Sequence, residues 1–266
     1  MKPKPQQKAD FPLWLIVVVA VGLWLYAKVL TDPIYALALA KLSKGIGITI
    51  FVAVVSFALA SLLGLILAVG TLSRFYIARQ AARLYIEVMR GLPIIVLLLY
   101  VAFVLSPTLV QFWNWVMAQV GVSPVRPRDF PYVWRAIIAL MLAYGAFLAE
   151  IFRAGLQAVD EGQTEAAKSL GLNGWQRFRH VVFPQAFRII FPPYANDFIA
   201  MVKDSSLVSV LGVIDVTQLG KVTSAGNFRY FETYNLVALI YLTMTITLSL
   251  VLRRLEQRLR ARQGDR

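Results

Sequence analysis

Residues 165–184 read EAAKSLGLNGWQRFRHVVFP, and their setting decides the fold. The stretch is polar and basic, with turn signals at Gly171 and Pro184. It lies between two runs too apolar for a soluble chain. A bilayer interior does not hold such a segment, because each charge in hydrocarbon is expensive. It therefore reads as a small water-exposed helical hairpin, fixed to a membrane span at each end.

Local signals define the hairpin. Asp160 suits the N-cap of a first helix, with Glu161 and Glu165 early and Lys168 late, as the helix dipole prefers. Gly171 suits a left-handed stop. Asn173 caps a second helix, with Gln176 three residues on as its capping-box partner. Trp175, Phe178 and Val182 fall on one face. Ala166 and Ala167 form a small-residue surface that another helix can approach closely, and Pro184 ends the segment. Paired caps and stops argue for a rigid element rather than a plain connecting loop. A DNA-reading helix-turn-helix is excluded on size, since residues 153–188, tethered at both ends, leave no third helix and no core.

Composition places the rest in a membrane. The chain has 266 residues, is 59% hydrophobic and only 15% charged, against roughly 25% charged in soluble domains. No charged residue occurs between Lys44 and Arg74, or between Glu232 and Arg253. About 20 apolar residues at 1.5 Å each cross a hydrocarbon core of roughly 30 Å. The expected fold is an all-α polytopic membrane protein with six transmembrane helices. The spans fall at about 11–27, 45–72, 92–110, 133–152, 189–211 and 234–252. Residues 111–132 read as an interfacial helix and a loop, with Trp113 and Trp115 near the headgroups. The chain divides into a disordered basic tail at 1–10, an additional N-terminal span at 11–30, a core domain at 42–256 and a tail at 257–266.

The net charge of +13 follows from topology. With both termini cytoplasmic, 18 of the 27 Lys and Arg residues fall on the cytoplasmic side, as the positive-inside rule requires. That orientation puts the hairpin in the cytoplasm and accounts for the charge without nucleic acid. The absence of cysteine removes disulfides and thiolate sites. His180, the single histidine, builds no histidine-rich metal site, and no metal site is expected.

The residues carry a resemblance. Glu165-Ala166-Ala167, then Gly171, then Val181-x-Phe183-Pro184 at the same spacing resemble the EAA loop of ABC-importer permeases, with Val for Ile and Phe for Leu. EVMRGLPIIV at 87–96, AEIFRAGLQAV at 149–159 and VKDSSLVSVLGV at 202–213 resemble the polar-amino-acid branch, which includes histidine, glutamine, glutamate and arginine permeases. The resemblance covers about residues 42–256. It implies a five-helix permease core with an extra N-terminal span, in the cytoplasmic (inner) membrane. The hairpin would be a coupling helix that docks in a separate ABC ATPase through Glu165, Ala166, Ala167, Gly171, Trp175 and Pro184. ATP and Mg would bind that ATPase; the chain has no GxxxxGK[ST] phosphate loop and no cofactor of its own is expected. Further partners implied are an extracytoplasmic amino-acid-binding protein, a second permease subunit and membrane lipid.

Within the fifth span, Asn196, Asp197, Lys203, Asp204, Ser205 and Ser206 are candidates to line a substrate path, or to pair structurally between helices; the residues leave both readings open. Glu150 with Arg153, and Glu87 with Arg90, are spaced i, i+3 near the inner ends of spans and read as gate-stabilising or structural pairs. An ion-coupled carrier or channel working without an ATPase is the rival function, with Lys203 and Asp204 as coupling groups. No zincin or GxSxG pattern supports a membrane-embedded enzyme.

Overall fold

A computed structural model describes residues 13–261. The basic tail at 1–10 and the end of the tail at 262–266 lie outside the described residues. The long charge-free runs form helices because, in lipid, only a helix satisfies its own N–H and C=O groups within one segment. The described elements are all helical.

The chain opens with α1 (Leu13–Thr31) and α2 (Pro33–Leu42), joined at Asp32, whose carboxylate accepts from the Ile34 N–H at 2.9 Å. α3 (Ile46–Thr71) and the amphipathic α4 (Tyr76–Gly91) follow. α5 (Ile94–Tyr100) passes through a π turn (Val101–Leu105) into α6 (Ser106–Ala118). Then come α7 (Tyr132–Gln157), α8 (Glu161–Ser169) and α9 (Gly174–Arg177). A second π turn (Phe178–Val182) leads into α10 (Phe183–Asp204), which ends in a 3₁₀ turn (Ser205–Leu211). α11 (Val216–Asn227) and α12 (Tyr230–Ala261) complete the described chain.

By length and composition, four helical stretches among the described residues can cross a membrane: Pro33–Thr71, Ile94–Ala118, Tyr132–Gln157 and Tyr230–Leu259. The other two expected spans correspond to α1 and to α10. At 22 residues, α10 extends about 33 Å, but it carries Arg188, Asp197, Lys203 and Asp204.

Two expectations need correction. The third span and the interfacial helix at 111 are one continuous helical rod, Ile94–Ala118. Pro184 does not end the hairpin, because helical backbone runs from Gly174 to Asp204. The pair Pro192-Pro193 lies inside α10, whose α-helical register gives way only after Asp204, at the 3₁₀ turn. The two π turns explain both corrections. Each ends immediately before an X-Pro step, with Ser106 bonding back to Val101 and Phe183 to Phe178. A proline in an α-helix lacks its N–H and clashes with the carbonyl four residues back. The wider π register, a known local bulge in α-helices, lets the helix continue through Pro107 and Pro184.

α7 is the central helix. Of its membrane-crossing window 61% is buried, against at most 33% for the other three. Its small residues allow close approach to α3, as in membrane helix pairs generally. Gly145, Leu148 and Ala149 of α7 meet Leu63 and Gly64 of α3 at this seam. A Cβ on Gly64 would stand 2.9 Å from the Leu148 Cβ and 3.0 Å from the Ala149 nitrogen. One buried cluster joins α3, α5, α7, α10 and the 3₁₀ turn; a second joins α1, α2 and α12 with Val216 of α11. The extra N-terminal helix thus packs on the bundle: Leu25 is buried in the second cluster, and Tyr26 shares a hydrogen bond with Thr243 at 3.1 Å.

Candidate functional site

The hairpin between α7 and α10 is built by local hydrogen bonds. The Asp160 carboxylate accepts from the Gly162 N–H at 2.7 Å. At the far end of α8, Gly171 has φ +78°, the left-handed conformation that glycine adopts without a Cβ penalty. The Leu172 N–H donates to Ala167 O at 3.2 Å and the Gly171 N–H to Lys168 O at 3.0 Å. This is a Schellman motif, which satisfies carbonyls that the helix end would leave open. Asn173 then forms a reciprocal capping box with Gln176, at 2.9 and 3.0 Å.

The turn directs apolar groups outward. Leu170 is 81% and Trp175 66% exposed. Trp175 stacks on Phe178, with ring centroids 6.0 Å apart. Glu165 and Ala166 are exposed, whereas Ala167 is buried. Only the first alanine of the small-residue surface is therefore open to a partner; α8 itself packs against α9 and the π turn.

α10 arranges the polar candidates by its period. Asn196 and Lys203, seven residues apart, are both exposed; Asp197 and Asp204, on an adjacent face, are half-buried. Asp204 accepts a 2.6 Å hydrogen bond from the Tyr144 hydroxyl of α7. Lys203 has no ion pair among the described residues, so it does not pair with either aspartate. Ser205 is buried, its hydroxyl donating to Val202 O at 2.7 Å, and it stands apart from the exposed set; Ser206 is half-buried. Tyr144 was not singled out from the sequence. Its signal was available: a tyrosine inside a span needs a partner for its hydroxyl.

Toward the end of α7 that leads into the hairpin, Arg153 grips Glu150 through two nitrogens, with Nε at 3.0 Å from Oε2. It also donates to Gln157. A cavity of about 280 Å³ is lined by Thr71, Arg83, Ile86, Glu87, Glu150 and Arg153. The expected Glu87–Arg90 pair is not formed among the described residues. Glu87 instead lines this cavity, and Arg90 acts electrostatically on Glu150. The lining residues place the cavity at the α4–α7 junction. Tyr85 holds that junction by donating to Leu142 O at 2.9 Å, and burial raises its phenol to about 12.

A further feature went unread in the sequence. Arg135 is buried, its Nη1 2.8 Å from Ala102 O and its Nε 3.1 Å from Phe130 O. Ser106 has bonded back to Val101, and Pro107, next in the π register, has no N–H. Arg135 supplies the donor that Ala102 thereby lacks, and stacks over Tyr132 at 4.7 Å. Among the described residues no group of three or more His, Cys, Asp or Glu side chains is placed to hold a metal ion.

Comparison with known proteins fits this geometry. Residues 60–263 match the family described as binding-protein-dependent transport system inner membrane component. The probable amino-acid permease protein YxeN of Bacillus subtilis is 37% identical, over 80% of this chain and 89% of its own length. The glutamine transport system permease protein GlnP of Escherichia coli K12 is 34% identical, over 84% of this chain and 94% of its own. A solved amino acid ABC transporter, crystallised with histidines, superimposes with a TM-score of 0.69 at 35% identity, covering 82% of this chain and 94% of that one. At 17% identity, a methionine ABC transporter in an inward-facing conformation shares the fold, with a TM-score of 0.63. The chain belongs to the family of binding-protein-dependent transport system inner membrane components, as a permease subunit with the ABC-importer fold.

Proposed function

We propose that this chain is the translocation subunit of an importer for polar amino acids, driven by ATP hydrolysed on a separate subunit. The α8–α9 hairpin docks in that ATPase in the cytoplasm, with Glu165, Ala166, Gly171 and Trp175 at or under the contact. Pro184 transmits the hairpin's movement into α10 rather than ending it. The observation that carries this reading is the pair of outward apolar residues, Leu170 and Trp175, on a doubly capped and otherwise polar hairpin. Exposed apolar groups in a rigid, water-facing element mark a partner surface.

In the same reading both termini are cytoplasmic, residues 42–256 form the transport domain, and α1 is an added packing helix. A second permease subunit completes the path, and an extracytoplasmic binding protein delivers the amino acid. Asn196, Asp197, Lys203 and Asp204 line the path, with Tyr144 orienting Asp204. Glu150 and Arg153, with Glu87 beside them and Arg90 behind, stabilise the inner gate. The names of the similar permeases support the substrate class.

The test is reconstitution in proteoliposomes. Uptake of a polar amino acid that requires the ATPase, the binding protein and ATP supports the proposal. Uptake by this chain alone, driven by an ion gradient, overturns it. Glu165→Ala should lower uptake per ATP hydrolysed while leaving membrane insertion intact.

A further inference from the structure

The aromatic side chains of the hairpin continue into the membrane helix. Trp175, Phe178, Phe183, Phe187 and Phe191 form an unbroken ladder, with successive ring centroids 6.0, 5.9, 5.9 and 5.8 Å apart. Its last two rings, one turn apart on α10, form one wall of a groove of about 360 Å³. Leu255, Arg258 and Leu259 of α12 form the other wall. The groove is apolar except for Arg258, which is exposed and has no carboxylate within 4.0 Å among the described residues. Arg254, one turn back on α12, and Arg188, next to Phe187, are also exposed. Against these, the end of α12 described beyond the charge-free run carries one carboxylate, Glu256.

The depth of the groove matters. The charge-free run of α12 ends at Leu252. Leu255 lies three residues further, about 5 Å at the helical rise, which is headgroup depth. Aromatic rings and basic side chains favour that layer, and basic pockets between membrane helices on the cytoplasmic side hold anionic headgroups.

We propose that this groove binds an anionic phospholipid of the inner leaflet. One acyl chain lies along Phe187, Phe191, Leu255 and Leu259, and the phosphate meets Arg258, with Arg254 and Arg188 adding to the positive field. The acyl chain gains little over bulk lipid, which is equally apolar, so the preference for an anionic headgroup comes from the guanidinium–phosphate contact. The proposal rests on the reading that places the ends of α10 and α12 in the cytoplasm. A lipid seated there touches the same ladder that leaves the docking hairpin, so its occupancy bears on how firmly the hairpin is held.

The experiment uses the full chain in nanodiscs of phosphatidylcholine with graded phosphatidylglycerol, and native mass spectrometry to follow retained lipid. Phosphatidylglycerol should be retained preferentially. Arg258→Gln should weaken that retention about five-fold, the effect of one basic residue near an anionic surface, and Arg258→Lys should keep part of it. Arg74→Gln, an exposed charge far along the chain, should change nothing. Equal losses for Arg258→Gln and Arg74→Gln would overturn the site, as would no preference for phosphatidylglycerol. Capture of the ATPase rather than lipid by a photo-crosslinker at Phe187 in the assembled transporter would also overturn it. A Gln257→Cys variant separates the two readings. Labelling by an impermeant thiol reagent only from the outside sinks the orientation itself. Labelling from the inside without a lipid preference sinks the lipid site alone.

Discussion

Gly171 offers a clean perturbation of the hairpin. Its φ is +78°, and an added Cβ would meet nothing within 4 Å. A substitution there changes backbone energy without a steric clash. Left-handed geometry costs an ordinary L-residue about 1–2 kcal/mol, while asparagine tolerates it better. In Gly171→Ala the strain is relieved if the turn opens, and opening gives up the Schellman bonds from Leu172 to Ala167 and from Gly171 to Lys168. The fraction of hairpins held in docking geometry then falls by about five- to thirty-fold if opening is otherwise close in energy. The assay is the affinity of the purified chain for its ATPase, with coupled uptake measured in parallel. Gly171→Ala should lose affinity within that range, and Gly171→Asn should lose clearly less. Gly174→Ala, whose new Cβ would come no closer than 4.0 Å to Arg177, should bind as the parent does. Thermal stability should barely move, because Gly171 lies outside both buried clusters. Equal binding by Gly171→Ala and the parent, or equal losses for Ala and Asn, would refute the argument that backbone handedness sets the docking surface.

Three further outcomes follow from the packing. Gly64→Ala should destabilise the bundle in detergent by about 1–3 kcal/mol through overpacking against Leu148 and Ala149; Gly47→Ala on the same helix, with nothing within 4 Å, should be neutral or stabilising by up to about 1 kcal/mol, as read by chemical denaturation. Tyr144→Phe removes the donor to Asp204 and should cost about 1–3 kcal/mol; adding Asp204→Asn should recover part of the loss in the same denaturation assay. Arg135→Lys keeps the charge but cannot serve Ala102, Phe130 and Pro127 together, so the 127–130 segment should become faster in hydrogen exchange.

The hairpin was legible in the sequence because its determinants are local. Asp160, Gly171, Asn173 and Gln176 each act within a few residues, and all occupy the cap positions expected of them. The bundle was legible because charge-free runs of membrane length have few alternatives. The misreadings come from treating a change in polarity or a proline as a helix end. Hydrogen bonding continues through Trp113 because helix formation does not require apolar residues, and the π turns carry it through Pro107 and Pro184. Contacts such as Tyr144 with Asp204 or Arg135 with Ala102 depend on how separate helices meet, which no local pattern encodes. The Glu87–Arg90 pair is absent among the described residues, and Glu87 lies instead on the wall of a cavity that α4 shares with α7, a placement set by how the two helices meet.

The most direct test of the account is site-specific crosslinking from the hairpin. The chain has no cysteine, so Leu170→Cys and Trp175→Cys each introduce a unique thiol, exposed on the outward face. In the assembled transporter a short bifunctional reagent should join both positions to the ATPase subunit, and the thiols should be reachable only from the cytoplasmic side. Failure of both positions to capture an ATPase, or labelling of either from the outer side, would contradict the claim that this hairpin receives the work of ATP hydrolysis.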